Sequence, residues 1–122
     1  MILDNKIFSR MHDASFVGIN FILAENDVVK DVSLKLTDVF DKHFDLIFLD
    51  VIEFKIQNLT RQNVILDFQI LSTEKEIIDY LSKSNFSNFK YTSNELNGLY
   101  LAIFTPSVGA EAFFLFKNII YN

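Results

Sequence analysis

The sequence predicts an α+β fold built mainly from antiparallel strands, as a sandwich or a partly open barrel of about seven strands with one short helix. Apolar and polar residues alternate with a period of two in several short runs, and turn-forming residues separate those runs. One stretch changes instead to helical spacing. Strands with such alternation bury one face, and their register is fixed because a slip of one residue would expose that face. No run ends in a catalytic or nucleotide-binding motif.

The first two strands are predicted to form a hairpin after a short N-terminal segment. They comprise residues 15–23 and 29–36, and the Glu-Asn-Asp sequence at 25–27 supplies the turn. Residues 37–43 are polar apart from Val39 and Phe40, and they are expected to form a connecting loop.

The next apolar stretch, residues 44–57, is too long for a typical strand. We expect a bend or bulge near Asp50, because an aspartate that points inward would need hydrogen-bond partners, whereas a kink lets it reach solvent. A turn at 58–63 and a strand at 64–70 follow, with Leu66 and Phe68 assigned to the same face.

Residues 74–84 are predicted to form an amphipathic helix. Thr73 and Glu76 have the spacing of a capping box, in which each side chain bonds the other residue's amide. Ile77 and Leu81 are four residues apart, and Asn85 is the expected C-cap. A helix of this length is marginal alone, so its apolar stripe must pack on the sheet.

The C-terminal third is predicted to be strands. Asn97-Gly98 is a strong turn signal and predicts a hairpin of residues 89–96 and 99–104. A second turn at 105–109 leads to a last strand at 112–121, which is apolar on both faces. Such a strand is either central and covered on both sides or part of an intermolecular contact. Its expected faces place Phe114, Phe116 and Ile120 together on one side and Ile119 on the other.

Length and composition indicate one folded unit. With 122 residues the chain is long enough for one domain with a core and too short for two, so residues 1–122 are predicted to form a single β-rich domain. Hydrophobic residues make up 50% and charged residues 22% of the chain, as is typical of a folded rather than a disordered sequence.

Charge and cysteine content narrow the classes of partner and compartment. The net charge is −5 with no basic cluster, and a surface of this sign repels phosphate backbones, so no nucleic-acid partner is expected. The sequence contains no cysteine, which fits a reducing compartment. The N-terminus lacks the pattern of a signal peptide, and no apolar run approaches the roughly 20 residues that span a bilayer. We therefore expect a cytoplasmic protein with no membrane partner.

His12 and Asp13 are the first candidate site residues. A histidine beside a carboxylate can act as a general base with its orienting partner, which defines a hydrolase hypothesis. In an extended chain, however, adjacent side chains point to opposite faces. One of the two would then simply cap the backbone at the start of the first strand. We keep both as binding candidates and predict no catalytic residue and no enzymatic activity.

The second histidine, His43, is a candidate metal ligand together with His12. Its spacing matches no metal motif, and the neighbouring Asp41, Lys42 and Asp45 fit a solvated loop. We therefore expect neither a metal nor another cofactor.

Arg61 and Asn63 are further binding candidates, because Arg and Asn in a turn between two strands can contact a partner. The alternative is ordinary turn chemistry, in which such side chains satisfy the backbone. The 14 phenylalanines likewise leave two interpretations, a pocket for an apolar ligand or the filling of the core.

Two segments, residues 11–19 (MHDASFVGI) and 61–67 (RQNVILD), carry a resemblance to known proteins. They resemble small bacterial proteins of unknown function, some of them grouped with polymorphic-toxin immunity proteins, that open with a His-Asp strand and continue as antiparallel sheet. The similarity spans residues 11–70. It implies a cytoplasmic β-rich domain that binds another protein and has no catalytic residues.

The combined features predict a non-enzymatic, acidic interaction protein of an immunity-like kind. Its partner is expected to be another protein, and a basic toxin would complement the charge. The last strand, apolar on both faces, adds a homodimer to the expected assemblies. The alternative function is that of a small β-barrel that binds an apolar ligand.

Overall fold

Eight antiparallel strands and two helices make up residues 3–84 and 91–122, the part of the chain that the computed structural model describes. In chain order the elements are α1 (Asn5–Met11), β1 (Ser15–Leu23), β2 (Val29–Thr37), β3 (His43–Leu49), β4 (Glu53–Gln57), β5 (Val64–Leu71), α2 (Glu74–Lys83), β6 (Tyr100–Val108), β7 (Glu111–Phe116) and β8 (Asn118–Tyr121). All eight strands belong to one open sheet of order β4-β7-β6-β5-β1-β2-β3-β8. The predicted α+β class, dominated by antiparallel strands, is confirmed.

The sheet folds back on itself so that its two halves face each other. Strands β3 and β7 are not neighbours in the sheet, yet Phe48 on β3 stacks on Phe114 on β7 with ring centroids 4.4 Å apart. Phe16 on β1 similarly meets Phe104 on β6, at 5.3 Å. The inner faces therefore bury a shared core of aromatic and aliphatic side chains, as in a sandwich.

Two long bent segments connect the halves. Strand β3 runs into β4, and β7 into β8, with three residues and one residue between them. The two segments also pair with each other, because β3 pairs with β8 and β4 pairs with β7. At the third connection, between β1 and β5, Ser15 pairs with Val64.

The bend near Asp50 is confirmed. Asp50 has a φ of 52° and an exposed side chain, and its amide donates to Asp31 Oδ1 at 2.9 Å. Asparagine and aspartate tolerate this left-handed conformation better than most residues. The chain therefore turns a corner at the one polar residue that interrupts the apolar row.

Helix α2 packs on the outer face of β6 and β7, which confirms the prediction that its apolar stripe packs on the sheet. Thr73 is the N-cap, and its Oγ1 accepts from the Glu76 amide at 3.2 Å, whereas the Glu76 carboxylate accepts from the Thr73 hydroxyl, at 2.8 Å, rather than from the Thr73 amide. Ile77 and Leu81 are buried in a second apolar cluster whose other members are Leu96, Leu99, Leu101, Ile103, Phe113 and Leu115. The C-cap is Ser84, whose amide donates to the Leu81 carbonyl, rather than the expected Asn85, which lies outside the described residues.

The predicted last strand at 112–121 is two strands, of which β7 is covered on both sides, whereas β8 lies at the end of the sheet with Ile120 and Tyr121 exposed. On β7, Phe113 and Leu115 face α2, whereas Phe114 and Phe116 face the main core. The strand is interrupted at Lys117, and after this interruption Ile119 rather than Ile120 is buried in the main core. The predicted faces were wrong beyond Phe116 because this break shifts the alternation by one residue.

The N-terminal segment is helical, which the sequence analysis did not predict. Asp4 caps α1 by accepting a hydrogen bond from the amide of Lys6, at 3.0 Å. Ile7 and Met11 lie four residues apart and are buried in the main core, while Phe8 stacks on Phe68. The helix has only seven residues, so its stability comes from this packing.

The predicted hairpin of residues 89–96 and 99–104 is wrong in its first strand, whereas residues 100–104 of the second belong to β6 as predicted. Residues 89 and 90 lie outside the described residues, and residues 91–96 contain no strand but lead into a turn at 93–98. Thr92 and Glu95 bond each other's amides, at 3.0 and 3.3 Å, as in a capping box. This arrangement buries Leu96 beneath α2, and the turn at Gly98 (φ 79°) then leads into β6.

The predicted turn at 105–109 is shorter than expected. Strand β6 continues through Pro106 to Val108, and the chain turns at Gly109, whose φ is 82°. Pro106 is tolerated because the pairing of β5 with β6 is irregular there. The same irregularity turns Ile65 into the core and leaves Leu66 exposed, so the predicted shared face of Leu66 and Phe68 is wrong.

Candidate interaction surface

The turn at residues 38–42, between β2 and β3, exposes two adjacent apolar side chains. Val39 is 59% and Phe40 is 78% exposed. Phe40 has the largest exposed fraction of any large hydrophobic residue in the described part of the chain. Scattered single apolar residues are normal on protein surfaces. An adjacent pair at the tip of a turn is a better candidate for a contact with another molecule.

The carboxylate of Asp38 holds this turn in one conformation. Its Oδ1 accepts hydrogen bonds from the amides of Phe40 and Lys42, at 2.9 and 3.0 Å. The backbone of Asp38 also bonds Lys42 and Asp41, and Asp41 adopts a φ of 59°. The exposed pair is therefore presented by an ordered turn.

Arg10 on α1 joins the turn to the rest of the fold. Its Nε donates to Asp38 Oδ2 at 2.8 Å, and one Nη donates to the hydroxyl of Tyr121. The guanidinium also lies 4.1 Å from the centre of the Phe44 ring, a cation–π geometry. The first helix, the turn and the end of β8 thus meet at one side chain.

An open groove of about 550 Å³ lies between α1 and the turn. Lys6, Ser9 and Arg10 line one wall, since residues three and four apart share a helix face. The other wall comes from the turn, with its lining residues Asp38, Val39, Phe40 and Lys42. Three cationic side chains and one carboxylate therefore border the exposed apolar pair.

The ionisation of Asp38 is coupled to the turn. Burial acts to raise its pKa, but hydrogen bonds from the amides of Lys42 and Phe40 and from Arg10 outweigh it, so the pKa lies below the ordinary 3.8. A carboxylate whose pKa is lower in the folded chain stabilises the fold above the unfolded pKa. That stabilisation is lost as the pH falls through the folded pKa.

The substitution Asp38→Asn is therefore expected to lower the Tm at neutral pH, because Arg10 and the two amides lose their charged acceptor. The difference from the wild type should begin to shrink as the pH falls below 3.8, the ordinary pKa that the carboxylate has in the unfolded chain, and should vanish once the pH is below the lower pKa of the folded protein. Thermal unfolding of both proteins at a series of pH values measures the Tm difference. A Tm difference that stays constant down to low pH would contradict the assigned role.

His12 and Asp13 lie where α1 ends and β1 begins. His12 is the C-cap of the helix, and its Nδ1 lies 2.6 Å from the carbonyl oxygen of Leu66. Asp13 has a φ of 62°, so the chain is not extended here. The two side chains approach to 3.6 Å and both are exposed, contrary to the expectation that they point apart.

Arg61 and Asn63 occupy the turn before β5 and differ in role. Arg61 is exposed. The Oδ1 of Asn63 accepts from the amides of Thr60 and Ala110, both at 3.0 Å, and its Nδ2 donates to the Thr60 carbonyl at 2.8 Å. This side chain ties the turn to the β6–β7 connection, as the turn-chemistry interpretation anticipates.

The four binding candidates from the sequence lie in two neighbouring regions, one with His12 and Asp13 and one with Arg61 and Asn63, and do not form a single site. The Asp13 amide donates to the Ile65 carbonyl, and the Phe16 amide donates to the Asn63 carbonyl, so both regions border the connection between β1 and β5. His43 lies elsewhere, with Nδ1 2.8 Å from Thr37 Oγ1. Among residues 3–84 and 91–122, no three His, Asp or Glu side chains are grouped as they would be to hold a metal ion.

The residues of the groove were missed by the sequence analysis. The available signal was the apolar pair Val39-Phe40 inside an otherwise polar loop. The link between Arg10 and Asp38 joins residues 28 positions apart and depends on a helix that was not predicted. No local pattern in the sequence reports such a contact.

A second, apolar groove of about 530 Å³ lies beside β4, an end strand of the sheet. Its lining includes Phe21 and Phe54, whose rings stack at 5.5 Å, together with Ile19, Ile56 and Leu59. Ile19, Ile56 and Leu59 also border a narrow gap between the sheet halves that has no room for even a water-sized molecule. This gap is therefore not a ligand pocket, since typical pockets have volumes of roughly 300–1,000 Å³.

Comparison of the chain with protein-family models, curated proteins and solved structures finds no match. In the described ranges, no helix has the length and apolar character needed to cross a membrane.

Proposed function

We propose that this chain is a non-enzymatic, cytoplasmic interaction protein of an immunity-like kind, which acts by binding another protein. The observation that carries the proposal is the exposed pair Val39 and Phe40 on a turn fixed by Asp38. The lack of cysteine in the sequence is consistent with the reducing cytoplasm.

The energetic argument starts from the exposed aromatic ring. Burying a phenylalanine side chain contributes about 1.5–3 kcal/mol. Because hydrogen bonds to Asp38 already hold the turn, a partner would not have to order it, and the corresponding entropy cost of binding is reduced. Aromatic residues in such central positions often dominate the affinity of protein interfaces.

The overall charge favours a basic partner. A net charge of −5 would accelerate the encounter with a positively charged protein such as a basic toxin. A homodimer is also part of the proposal: α2 and the main core cover both faces of β7, but Ile120 and Tyr121 on the end strand β8 are exposed and could contact a second copy.

Binding of a small apolar ligand is the second candidate function. The groove beside β4 favours it, since apolar side chains line most of that groove. The gap behind the groove has no room for a water-sized molecule, so a ligand would have to bind in the open groove itself. Native mass spectrometry of protein purified from its own cells separates the two functions, because a retained ligand would add its mass.

The interaction function is tested with the double substitution Val39→Ser and Phe40→Ser. We expect a protein that the wild type captures from a lysate of the source cells to be lost by this variant. With the purified partner, Kd should rise by about tenfold or more, since the apolar contact at the centre of the interface is removed. Isothermal titration calorimetry measures the change.

The matched control is Leu23→Ser with Val28→Ser, which removes two other exposed apolar side chains. These two residues lie at the opposite end of β2 from Val39 and Phe40. Because β2 has nine residues, the two ends are about 30 Å apart. The control should bind the partner as the wild type does. Equal binding by the Val39/Phe40 variant would assign the contact to another surface, and a wild type that captures nothing would count against the function itself.

A further inference from the structure

We infer that the groove between α1 and the turn at residues 38–42 recognises carboxylate groups, so that the partner segment that docks there is an acidic peptide segment with apolar side chains. This inference deepens the proposed function and rests on it. It assigns to the contact a local charge opposite to the one that the whole chain would favour.

Arg10 has unused hydrogen-bonding capacity. A guanidinium has five N–H donors, and the bonds to Asp38 and Tyr121 use two of them. The side chain is 25% exposed and lines the groove. The contacts with Asp38, Phe44 and Tyr121 hold the guanidinium in place. An incoming carboxylate would therefore meet a fixed donor group, the geometry in which Arg–carboxylate pairs are strongest.

The groove carries more positive than negative charge. The groove is lined by Lys6, Arg10 and Lys42 against the single carboxylate of Asp38, a local excess of two positive charges in a chain of net charge −5. Both lysines are exposed, and neither has an ion pair within the described part of the chain. The surface that would touch the partner is thus complementary to acidic side chains.

An apolar surface adjoins the cationic side chains of the groove. Val39 and Phe40 lie in the same groove as the cations. A free anion such as phosphate would leave these two side chains in water. A peptide that alternates acidic and apolar residues could contact both kinds of surface at once, because alternate side chains of an extended segment point to opposite sides.

The test uses two hexapeptides, one of alternating glutamate and leucine and one of alternating glutamine and leucine. NMR titration of the isotope-labelled protein is expected to show that the glutamate peptide shifts the amide signals of Ser9, Arg10, Phe40 and Lys42. The glutamine peptide should bind more weakly. Raising the salt concentration should weaken only the glutamate peptide, because exposed charges are screened.

Substitution of the groove lysines provides the matched comparison. Lys6→Gln with Lys42→Gln is expected to weaken binding of the glutamate peptide about fivefold, the range for a few exposed charge pairs. Lys75→Gln with Lys83→Gln makes the same change in net charge on α2 and should leave binding unchanged. Both pairs are exposed, so neither is expected to disturb folding.

Three results would overturn the inference: no shifts in the groove at about 1 mM glutamate peptide, equal binding of the two peptides, or equal weakening by both lysine pairs. The partner experiment distinguishes this failure from that of the proposed function. A partner that needs Phe40 but binds the Lys6/Lys42 variant normally would leave the interaction function in place and remove the acidic-segment inference.

Discussion

Replacing Gly109 by alanine is expected to destabilise the protein by about 3–5 kcal/mol. Gly109 has a φ of 82°, and a left-handed conformation costs an alanine roughly 1–2 kcal/mol. A Cβ at this position would lie 2.5 Å from the carbonyl oxygen of Gln62 and would also collide with Oδ1 of Asn63. The Asn63 side chain would have to move, with the loss of hydrogen bonds worth about 1 kcal/mol each.

The control for this prediction is Gly98→Ala. Gly98 has nearly the same φ, 79°, but a Cβ there would meet no atom within 4 Å. It should therefore cost only the conformational part, about 1–2 kcal/mol. Urea unfolding of both variants measures the difference. Equal losses of stability would mean that the contact between Gly109 and the turn at Asn63 contributes little.

Replacing Phe48 by alanine is the second large expected effect, a loss of about 3–5 kcal/mol. Phe48 is fully buried between the sheet halves and stacks on Phe114 at 4.4 Å. It also meets Phe116 and Phe104 edge-on, at 5.0 and 6.2 Å. The substitution removes these contacts and leaves a cavity that the surrounding rings, which are anchored on β6 and β7, cannot easily fill.

Phe40→Ala serves as the matched control for Phe48. The same atoms are deleted, but Phe40 is 78% exposed, so the free energy of unfolding should change by no more than about 0.5 kcal/mol. Chemical denaturation compares the two variants. A large loss for Phe40→Ala would show that this ring stabilises the fold, and its assignment to partner binding would then fail.

Several elements could be predicted because their cause is local. The hairpin of β1 and β2 follows from two apolar segments around a polar turn, and α2 follows from its N-cap. The alternation predicts burial correctly on β2, but on β1 the expected inner residues Val17, Phe21 and Leu23 are exposed. The bend at Asp50 follows from the cost of burying a carboxylate in an apolar row. In each case the interactions that determine the element are made by residues close together in the sequence.

Other features could not be predicted because they depend on distant contacts. Helix α1 has too few apolar residues for a clear period, and it is stable because Ile7 and Met11 enter a core made by strands far along the chain. The shift of alternation at Lys117 is determined by the corner between the sheet halves. The pattern of Phe114 and Phe116 before it contains no sign of the change.

In the candidate site, too, some features have a local cause and others depend on distant contacts. Asn63 could be singled out, but its role follows from the Ala110 amide, 47 residues away. The pair Val39-Phe40 was visible as an irregularity in a polar loop, whereas its significance depends on the rigid turn beneath it. Arg10 acquires a role only after α1 brings it to Asp38.

The bent segments β3–β4 and β7–β8 have a consequence for the cooperativity of the fold. Leu49 pairs with Asn118 in one half of the sheet, and Glu53 pairs with Leu115 in the other. Each of the two stretches of backbone therefore belongs to both halves, with only three residues or one residue between its strands. Separating the halves would break neither ladder, but it would expose the aromatic core that the two inner faces share, so we expect the molecule to unfold as one cooperative unit.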